Sequence, residues 1–369
     1  MKKKIFKALR RDFRFSAGIG HAFVIMKVQI DLNACIMNLE ALETYTSHLF
    51  SVAPGVWGRK EVFVNFYMIQ DQSTGAWALV DAGLKWSAAK IKNMASELFG
   101  EGSKPTAIIL THGHFDHIGA LATLIDEWNV PVYVHSLEVP YLTGQSSYPP
   151  PDPTVGGGLM TAMSWMYPKG PINIQDYIRT LPDDNSIPGL TDWKYIHSPG
   201  HAPGHISLFR ESDKVLIAGD AFVTTKAESA IYSLSNMKHL SGPPKYFTCN
   251  WASAELSVIK LAALDPQIAA TGHGKPMRGE ELRGALKNLS SHFKTLALPA
   301  EGRYVNEPAV TNEKGVLYLP PPTEKMTRLA KVLGISIAIA SVGLLIYQQT
   351  RQKKRPKNEV AKMLKLQYN

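Results

Sequence analysis

Cysteine is scarce in this sequence, and the scarcity removes two kinds of site. The 369 residues contain only two cysteines, Cys35 and Cys249. Two isolated thiols cannot build a disulfide framework, and neither lies in a CxxC pair that would bind a metal. Any metal site in this chain must therefore be built from histidine and carboxylate side chains.

A continuous excess of positive charge is also missing, although the net charge is +9. Residues 1–14 and 351–369 each carry seven Lys or Arg against a single acidic residue, so each end has a charge of +6. The body between them, residues 15–350, is slightly acidic at −3. Binding along a phosphate backbone requires an extended basic face, so the sequence argues against nucleic acid as a partner.

Long apolar runs are absent except near the C-terminus. Residues 332–347 carry no charge, and the run reaches nineteen residues if it starts at Leu329. At about 1.5 Å per residue a helix of that length covers about 29 Å, close to the thickness of a bilayer core. The run predicts a transmembrane helix within 327–350, followed by a basic tail at 351–369. It predicts a membrane localisation, with the lipid bilayer as a partner through 329–347.

The N-terminal end gives no clear targeting signal. Residues 15–26 have the size of a signal h-region, but no small-x-small cleavage site follows them. We treat residues 1–45 as a basic extension of unknown role. The charges that flank the predicted span favour an exported catalytic domain, but the sequence shows no clear export signal. The side of the membrane therefore stays open, with a slight preference for a cytoplasm-facing domain.

The central segment, 46–326, alternates short apolar runs with helical patterns. Strands are predicted at 62–69, 76–80, 107–110, 132–134, 195–197, 207–209 and 215–218. Helices are predicted at 86–99, 118–128, 252–264 and 280–295. This alternation predicts a layered α/β domain. The stretch 139–190, rich in proline and glycine, is predicted to be an inserted loop and helix that covers the site.

The informative motif comes directly after the predicted strand at 107–110. It places three histidines and one aspartate within six positions: His112, His114, Asp116 and His117. Imidazole and carboxylate suit zinc and similar divalent ions, so the spacing indicates a metal site. Three shorter motifs strengthen this interpretation, namely SPGHAPGH at 198–205, Gly219-Asp220 and Gly272-His273-Gly274.

Together these motifs resemble the metallo-β-lactamase-fold hydrolase superfamily, particularly its glyoxalase II-like and lactonase-like branches with two metals. The resemblance extends from about Val56 to about Leu298. It implies a four-layer αββα sandwich with the metal site at the strand ends between two sheets. The motif Val80-Asp81-Ala82-Gly83 also matches a strand-end motif of the family.

The resemblance also implies a role for each motif residue. His112, His114 and His201 would bind the first of two zinc ions, with iron or manganese as alternatives. Asp116, His117 and His273 would bind the second ion, and Asp220 would bridge the pair. Asp116 would also be the catalytic residue that orients the attacking water, while Asp81 and His205 would support the site from behind the ligands. Trp165, Met166 and Tyr167 of the insertion are candidates for substrate contacts.

Departures from subfamily patterns narrow the chemistry that the resemblance implies. His114 stands where iron-dependent flavodiiron proteins carry Glu, and Asp220 stands where true β-lactamases of this fold use another group. Val223 replaces the tyrosine of quorum-quenching lactonases. We therefore expect a metal-dependent hydrolase of a small ester, thioester or lactone. An iron oxidoreductase resembling the persulfide dioxygenases and a catalytically idle binding protein remain alternatives. The sequence leaves the oligomeric state open.

Overall fold

The structure, a computed structural model, describes residues 49–235 and 237–328. The chain divides into two compact units, residues 1–50 and 51–369. Almost all of the described residues belong to the second unit. The domain boundaries expected from the sequence stay a prediction.

The described strands form two large sheets and a hairpin. Seven strands make the first sheet, in the spatial order β1 (Leu49–Ala53), β2 (Val56–Glu61), β3 (Val64–Gln70), β4 (Trp77–Val80), β5 (Ala107–Ile109), β6 (Val132–Val134) and β7 (Ile178–Thr180). Six strands make the second sheet, and their spatial order runs backwards along the chain from β13 (Met277–Arg278) through β12 (Ile268–Ala270), β11 (Val215–Ile217), β10 (Ile206–Arg210) and β9 (Leu190–His197) to β8 (Ser186–Ile187). The hairpin pairs β14 (Val310–Asn312) with β15 (Gly315–Tyr318).

The helices between the strands are mostly short. They are α1 (Ala88–Phe99), α2 (Leu121–Trp128), α3 (Val139–Leu142), α4 (Leu159–Met163), α5 (Ala230–Leu234), α6 (Trp251–Ala262), α7 (Gly279–Ser291) and α8 (Phe293–Leu296). The helical pattern predicted at 280–295 is divided at His292, whose backbone leaves the helical region with φ −126°.

The layers follow from what each helix buries. Trp77 of β4 stacks on Phe99 of α1 and meets Trp128 of α2 edge-on, with ring centroids 4.6 and 5.9 Å apart. Helices α6 and α7 share a buried apolar cluster with Phe209 and Leu216 of the second sheet. Each helix pair therefore covers the face of one sheet, and burial of each large apolar side chain contributes roughly 1.5–3 kcal/mol.

The remaining faces of the two sheets meet each other. The Tyr67 hydroxyl of β3 donates to the Thr271 carbonyl at 2.6 Å, and the Asn65 amide donates to the Gly272 carbonyl at 2.7 Å. Strands β3 and β10 are buried on both faces, which explains why their apolar residues do not alternate strictly with polar ones. The helix–sheet–sheet–helix order confirms the predicted αββα sandwich.

The predicted C-terminal transmembrane helix is wrong as a part of this fold. Among residues 49–235 and 237–328, no helix is both long and apolar enough to cross a bilayer. The predicted span at 329–347 itself lies outside the described residues. The membrane localisation rested on that span and is corrected with it, whereas the lipid partner through 329–347 stays a prediction.

The 139–190 segment also differs from a simple inserted loop. Its C-terminal part supplies edge strands to both sheets, because β7 pairs in parallel with β6 and β8 pairs with β9. Edge strands face solvent on one side, and β7 is mostly exposed, so no apolar run marks these strands in the sequence.

Parallel pairing brings the motif loops to one edge. Strands β4, β5 and β6 run parallel in the first sheet, and β11 and β12 run parallel in the second. The carboxyl ends of parallel strands lie side by side, so the loops that follow them converge. Asp81 follows β4, the 112–117 turn follows β5, Asp220 follows β11, and His273 follows β12.

Candidate metal centre

The seven predicted ligands come together at the edge where the two sheets meet. Buried donors whose atoms lie within 4.8 Å of one another form a first group of His112, His114 and His201 and a second group of Asp116, His117 and His273. A further set, His112, His117 and Asp220, overlaps the two groups. The 112–117 turn supplies donors to every group, and the other donors come from three separate loops. The structure thus brings together every residue that the resemblance names as a ligand.

The first group is made of three imidazoles. His114 Nδ1 lies 3.0 Å from His201 Nε2, so these two ring nitrogens face the same point. The Thr111 hydroxyl lies 3.1 Å from His112 Nδ1, which leaves His112 Nε2 directed into the group. The His201 ring is held on its other side by the Thr248 hydroxyl at 3.5 Å.

The second group combines a carboxylate with two imidazoles. His273 Nδ1 lies 2.8 Å from the Phe63 carbonyl, so Nε2 faces inward, 3.6 Å from Asp116 Oδ2. His117 Nδ1 lies 2.8 Å from Asp81 Oδ2, and its Nε2 likewise faces inward. Each imidazole therefore uses its outer nitrogen for a fixed hydrogen bond and keeps the inner one for the site.

Asp220 lies between the two groups. Its Oδ2 is 3.0 Å from His273 Nε2, 3.4 Å from His201 Nε2 and 3.6 Å from His117 Nε2. A Cβ on Gly272 would stand 2.0 Å from Asp220 Oδ1, so only glycine leaves room for this carboxylate.

Asp81 and His205 stand behind the donors and belong to neither group. Asp81 accepts hydrogen bonds from the Thr111 amide and hydroxyl, both at 2.8 Å, besides its contact with His117. His205 Nε2 accepts from the Asp220 amide at 2.8 Å, while its Nδ1 lies 2.9 Å from the Ser198 hydroxyl. The two residues thus fix the backbone and ring orientations of the donors.

Burial and mutual charge shift the pKa values of the donors in opposite directions. Burial lowers the pKa of His201 to about 4 and that of His112 well below 6.5, so both rings are neutral and can donate lone pairs. Burial also acts to lower the pKa of His117, but Asp81 and Asp220 outweigh it and raise that pKa. Burial acts to raise the pKa of Asp220, but His273 and His117 hold it well below its usual value.

The buried donors fit a bound cation. Within the described part of the chain, His112 Nε2, His117 Nε2 and Asp220 Oδ1 are buried and have no hydrogen-bond partner. Buried polar atoms in proteins almost always have a partner, so three such atoms on residues of one donor set indicate an ion. Imidazole nitrogen and carboxylate oxygen, without thiolate, suit zinc, iron and manganese.

Sequence reasoning missed two buried residues beside this centre, Glu138 and Tyr148. The Glu138 carboxylate accepts hydrogen bonds from the amides of Gly113 and Gly204 and from the Tyr148 hydroxyl. Both residues lie outside the metal-binding motifs, in a stretch where the sequence resembles an ordinary helix start and a proline-rich loop. No local signal would have identified them, because their partners are distant in sequence.

An aromatic wall borders the centre on the side of the insertion. The Phe247 ring stacks on His114 with centroids 4.4 Å apart. Tyr167 packs against Phe115 at 5.3 Å and against Phe247 at 6.0 Å. Of the three predicted substrate contacts, Tyr167 thus lies in the wall, whereas Trp165 and Met166 are 45% and 53% exposed.

Comparisons with known proteins agree with this geometry. The family described as the metallo-beta-lactamase superfamily matches residues 59–273 of this chain. A relative named probable metallo-hydrolase YflN, from Bacillus subtilis, is 45% identical over 67% of this chain and 94% of its own length. Another, probable metallo-hydrolase YybB of the same organism, is 30% identical over 41% of this chain and 59% of its own length.

Solved structures resemble the chain more distantly. A metallo-beta-lactamase family protein from Thermus thermophilus, TTHA1429, is 22% identical with a TM-score of 0.45, covering 66% of this chain and 81% of that one. TTHA1623, solved in a di-iron-bound form, is 22% identical with a TM-score of 0.41, covering 60% of this chain and 92% of that one. On the family match and the extent of the YflN similarity, the chain belongs to the metallo-β-lactamase superfamily, which confirms the prediction of a metal-dependent hydrolase of that superfamily.

Proposed function

We propose that the protein is a dinuclear zinc hydrolase, of the branch that includes glyoxalase II-like and lactonase-like enzymes, and that it cleaves a small ester, thioester or lactone. The observation that carries the proposal is the pair of donor groups joined by Asp220, whose Oδ2 lies within 3.6 Å of imidazoles of both groups. One carboxylate between two clusters of inward-facing donors is suited to two cations in one site.

In this proposal the two groups divide the work of holding metal. His112, His114 and His201 would hold one ion, and Asp116, His117 and His273 would hold the other. Asp220 would contact both. When bound, the two cations would lower the pKa of a water molecule toward neutrality and polarise the carbonyl that it attacks.

The chain's own residues orient the reacting groups. Asp116 is the most exposed of the seven donors at 5%, and its carboxylate would accept a hydrogen bond from the attacking water. Asp81 and His205 keep His117 and Asp220 in fixed orientations through the hydrogen bonds described above. The orientation of the donors is therefore present before any substrate arrives.

The surroundings of the centre favour a neutral and partly apolar substrate. The wall of Phe115, Tyr167 and Phe247 offers apolar area beside Asp116. The charged neighbour that most strongly raises the pKa values of Tyr167 and Tyr246, after burial, is the Asp116 carboxylate. In this proposal the cations would offset that negative charge, so the preference rests on the aromatic rings of the wall, which suit an uncharged acyl group and offer no cation to a phosphate. We therefore propose that Tyr167, with Trp165 and Met166 of the insertion, contacts the acyl part of the substrate.

A metal count combined with a substrate panel tests this function. The purified protein would be analysed for zinc, iron and manganese per chain. It would then be assayed against aryl esters, thioesters and lactones of increasing acyl length, with phosphodiesters as a charged comparison. We expect about two zinc ions per chain and hydrolysis of at least one neutral acyl class, with KM falling as the acyl group becomes more apolar.

Two results would contradict the proposal. One iron per chain with oxygen consumption and no hydrolysis would indicate the iron oxidoreductase alternative. Preference for phosphodiesters over every acyl compound would remove the ester assignment while leaving the metal centre intact.

A further inference from the structure

The Glu138 carboxylate joins the two loops that carry the three-histidine group. It is fully buried at the end of a short turn, Ser136–Glu138, that follows β6. Its Oε1 accepts from the Gly204 amide at 2.7 Å, and its Oε2 accepts from the Gly113 amide at 2.9 Å. Gly113 separates His112 from His114, and Gly204 lies in the loop that carries His201. One side chain thus spans the two halves of the group.

Glu138 and Tyr148 approach Gly113 and Gly204 so closely that neither glycine position has room for a Cβ. A Cβ on Gly113 would lie 2.7 Å from the Tyr148 hydroxyl, and a Cβ on Gly204 would lie 2.8 Å from Glu138 Cγ. Neither glycine has a positive φ, so backbone conformation does not explain them. They allow the loops to approach the carboxylate at hydrogen-bonding distance.

Tyr148 holds the carboxylate from the other side. Its hydroxyl donates to Glu138 Oε2 and also accepts from the Gly113 amide at 2.9 Å. Its ring stacks on Tyr141 with centroids 4.0 Å apart and lies 4.6 Å from the His114 ring. Val316 of the C-terminal hairpin packs against the same cluster. Tyr148 is therefore fixed by packing and can keep Glu138 in one orientation.

We propose that Glu138, oriented by Tyr148, is a positioning residue that sets the distance between the His112–His114 turn and the His201 loop. The inference rests on the proposed metal centre and deepens it. Because the carboxylate binds the backbone amides of Gly113 and Gly204, it acts through the backbone of the two loops. Outer hydrogen bonds of this kind typically change metal affinity by about 10–100-fold.

Cobalt binding tests the inference without relying on hydrolysis. The full chain would be stripped of metal and titrated with Co²⁺ in competition with a chelator, and the visible absorption of the bound ions would be recorded. Glu138→Gln places an amide NH₂ against a backbone N–H, so one hydrogen bond is lost. We expect one of the two binding steps to weaken by about 10–100-fold, with a changed Co²⁺ spectrum. Tyr148→Phe should change both in the same direction by less.

Asp71→Asn is the matched control. Asp71 is also a buried carboxylate that accepts from backbone amides, those of Ser73, Thr74 and Thr191, but it lies in a turn that carries no metal ligand. This variant should lower the unfolding temperature and leave Co²⁺ affinity and spectrum unchanged. A structural role for Glu138 would produce the same result in Glu138→Gln, and that would overturn the inference.

The remaining outcomes are also decisive. A wild-type chain that binds no Co²⁺ would overturn the proposed metal centre together with this inference. Two bound ions in the wild type, with unchanged affinity and spectrum in Glu138→Gln, would overturn the inference alone. If Glu138→Gln does not fold, Tyr148→Phe decides the question by the same two measurements.

Discussion

The two sheets supply the metal centre in different ways. After β5 of the first sheet, one turn provides four donors: His112, His114, Asp116 and His117. The second sheet provides three donors, His201, Asp220 and His273, each from a different loop. Donors in one turn are held together by the covalent chain. Donors in separate loops depend on strand pairing, and above all on the parallel pairing of β11 with β12.

The contacts that hold the donors in place also differ between the two sheets, which supply the two halves of the metal centre. The donors of the first sheet are held by acidic side chains, because Asp81 binds His117 and Glu138 binds the Gly113 amide. In the second sheet, Glu138 also binds the Gly204 amide of the His201 loop, but His273 contacts the Phe63 carbonyl and Asp220 fits only beside a glycine. The comparison indicates that the second half tolerates less change in backbone position.

The largest expected effect is the loss of metal when Asp220 of the second sheet is removed, compared with removal of Asp116 of the first. Asp220→Ala removes the carboxylate that lies within 3.6 Å of imidazoles of both donor groups, so both metal ions should be lost. Asp116→Ala removes one donor of the second group and should cost only that ion. Since loss of an outer hydrogen bond already costs about 10–100-fold in affinity, loss of Asp220 should cost more than about 100-fold in affinity and activity. Metal content per chain measures the difference.

A result with the two variants reversed would contradict this comparison. If Asp116→Ala lost both ions and Asp220→Ala kept one, Asp220 would not join the two groups. Circular dichroism of each variant would verify that the sandwich is still folded.

A smaller effect is expected from Gly272→Ala, which tests the dependence of the second half on its backbone. The new Cβ would stand 2.0 Å from Asp220 Oδ1 and would displace that carboxylate. A misplacement of about 1 Å can cost about 100-fold in activity, so we expect a loss of about 10–100-fold, measured as kcat/KM.

Gly284→Ala is the control for this substitution. Gly284 lies in α7, and nothing stands within 4 Å of the position that its Cβ would occupy. This change should leave activity intact and stabilise the helix slightly, by about 0.5–1 kcal/mol. Full activity in Gly272→Ala would mean that Asp220 can move without harm.

The smallest effect is expected where the two sheets meet outside the metal centre. His135 follows β6 and stacks on His197 of β9, with centroids 4.0 Å apart. Burial, followed by the charge of His197, lowers the pKa of His135 from 6.5 to about 4. Between these values the unfolded chain binds a proton that the folded chain does not. The contribution to stability is therefore present above pH 6.5 and is lost as the pH falls toward 4.

His135→Asn should flatten this acid dependence. Asparagine can still accept from the Leu137 amide, as His135 Nδ1 does at 3.2 Å, so the local turn is kept. Unfolding temperatures at pH 7.5 and 5 should differ by less in the variant than in the wild type. His292→Asn, which removes an exposed ring at the end of α7, is the control. An unchanged difference in His135→Asn would assign the acid dependence to other groups.

Much of the fold was predictable because apolar runs mark buried strands. The predicted runs at 107–110 and 132–134 coincide closely with β5 and β6. The edge strands β7 and β8 carry polar residues and gave no such signal. The apolar run at 329–347 shows the converse error, since hydropathy alone suggested a membrane span that is no part of the described fold.

By itself, the sequence determined the chemistry of the donors and the local turn that holds four of them, because HxHxDH is a short-range pattern. It also determined the family, because the four motifs occur together in one order along the chain. Tertiary structure places Asp220 between the donor groups, a position that the sequence implied only through the family resemblance, since three loops must converge through strand pairing. It alone revealed that Glu138 and Tyr148 tie the ligand loops together, because hydrogen bonds between residues distant in sequence leave no periodic or compositional trace.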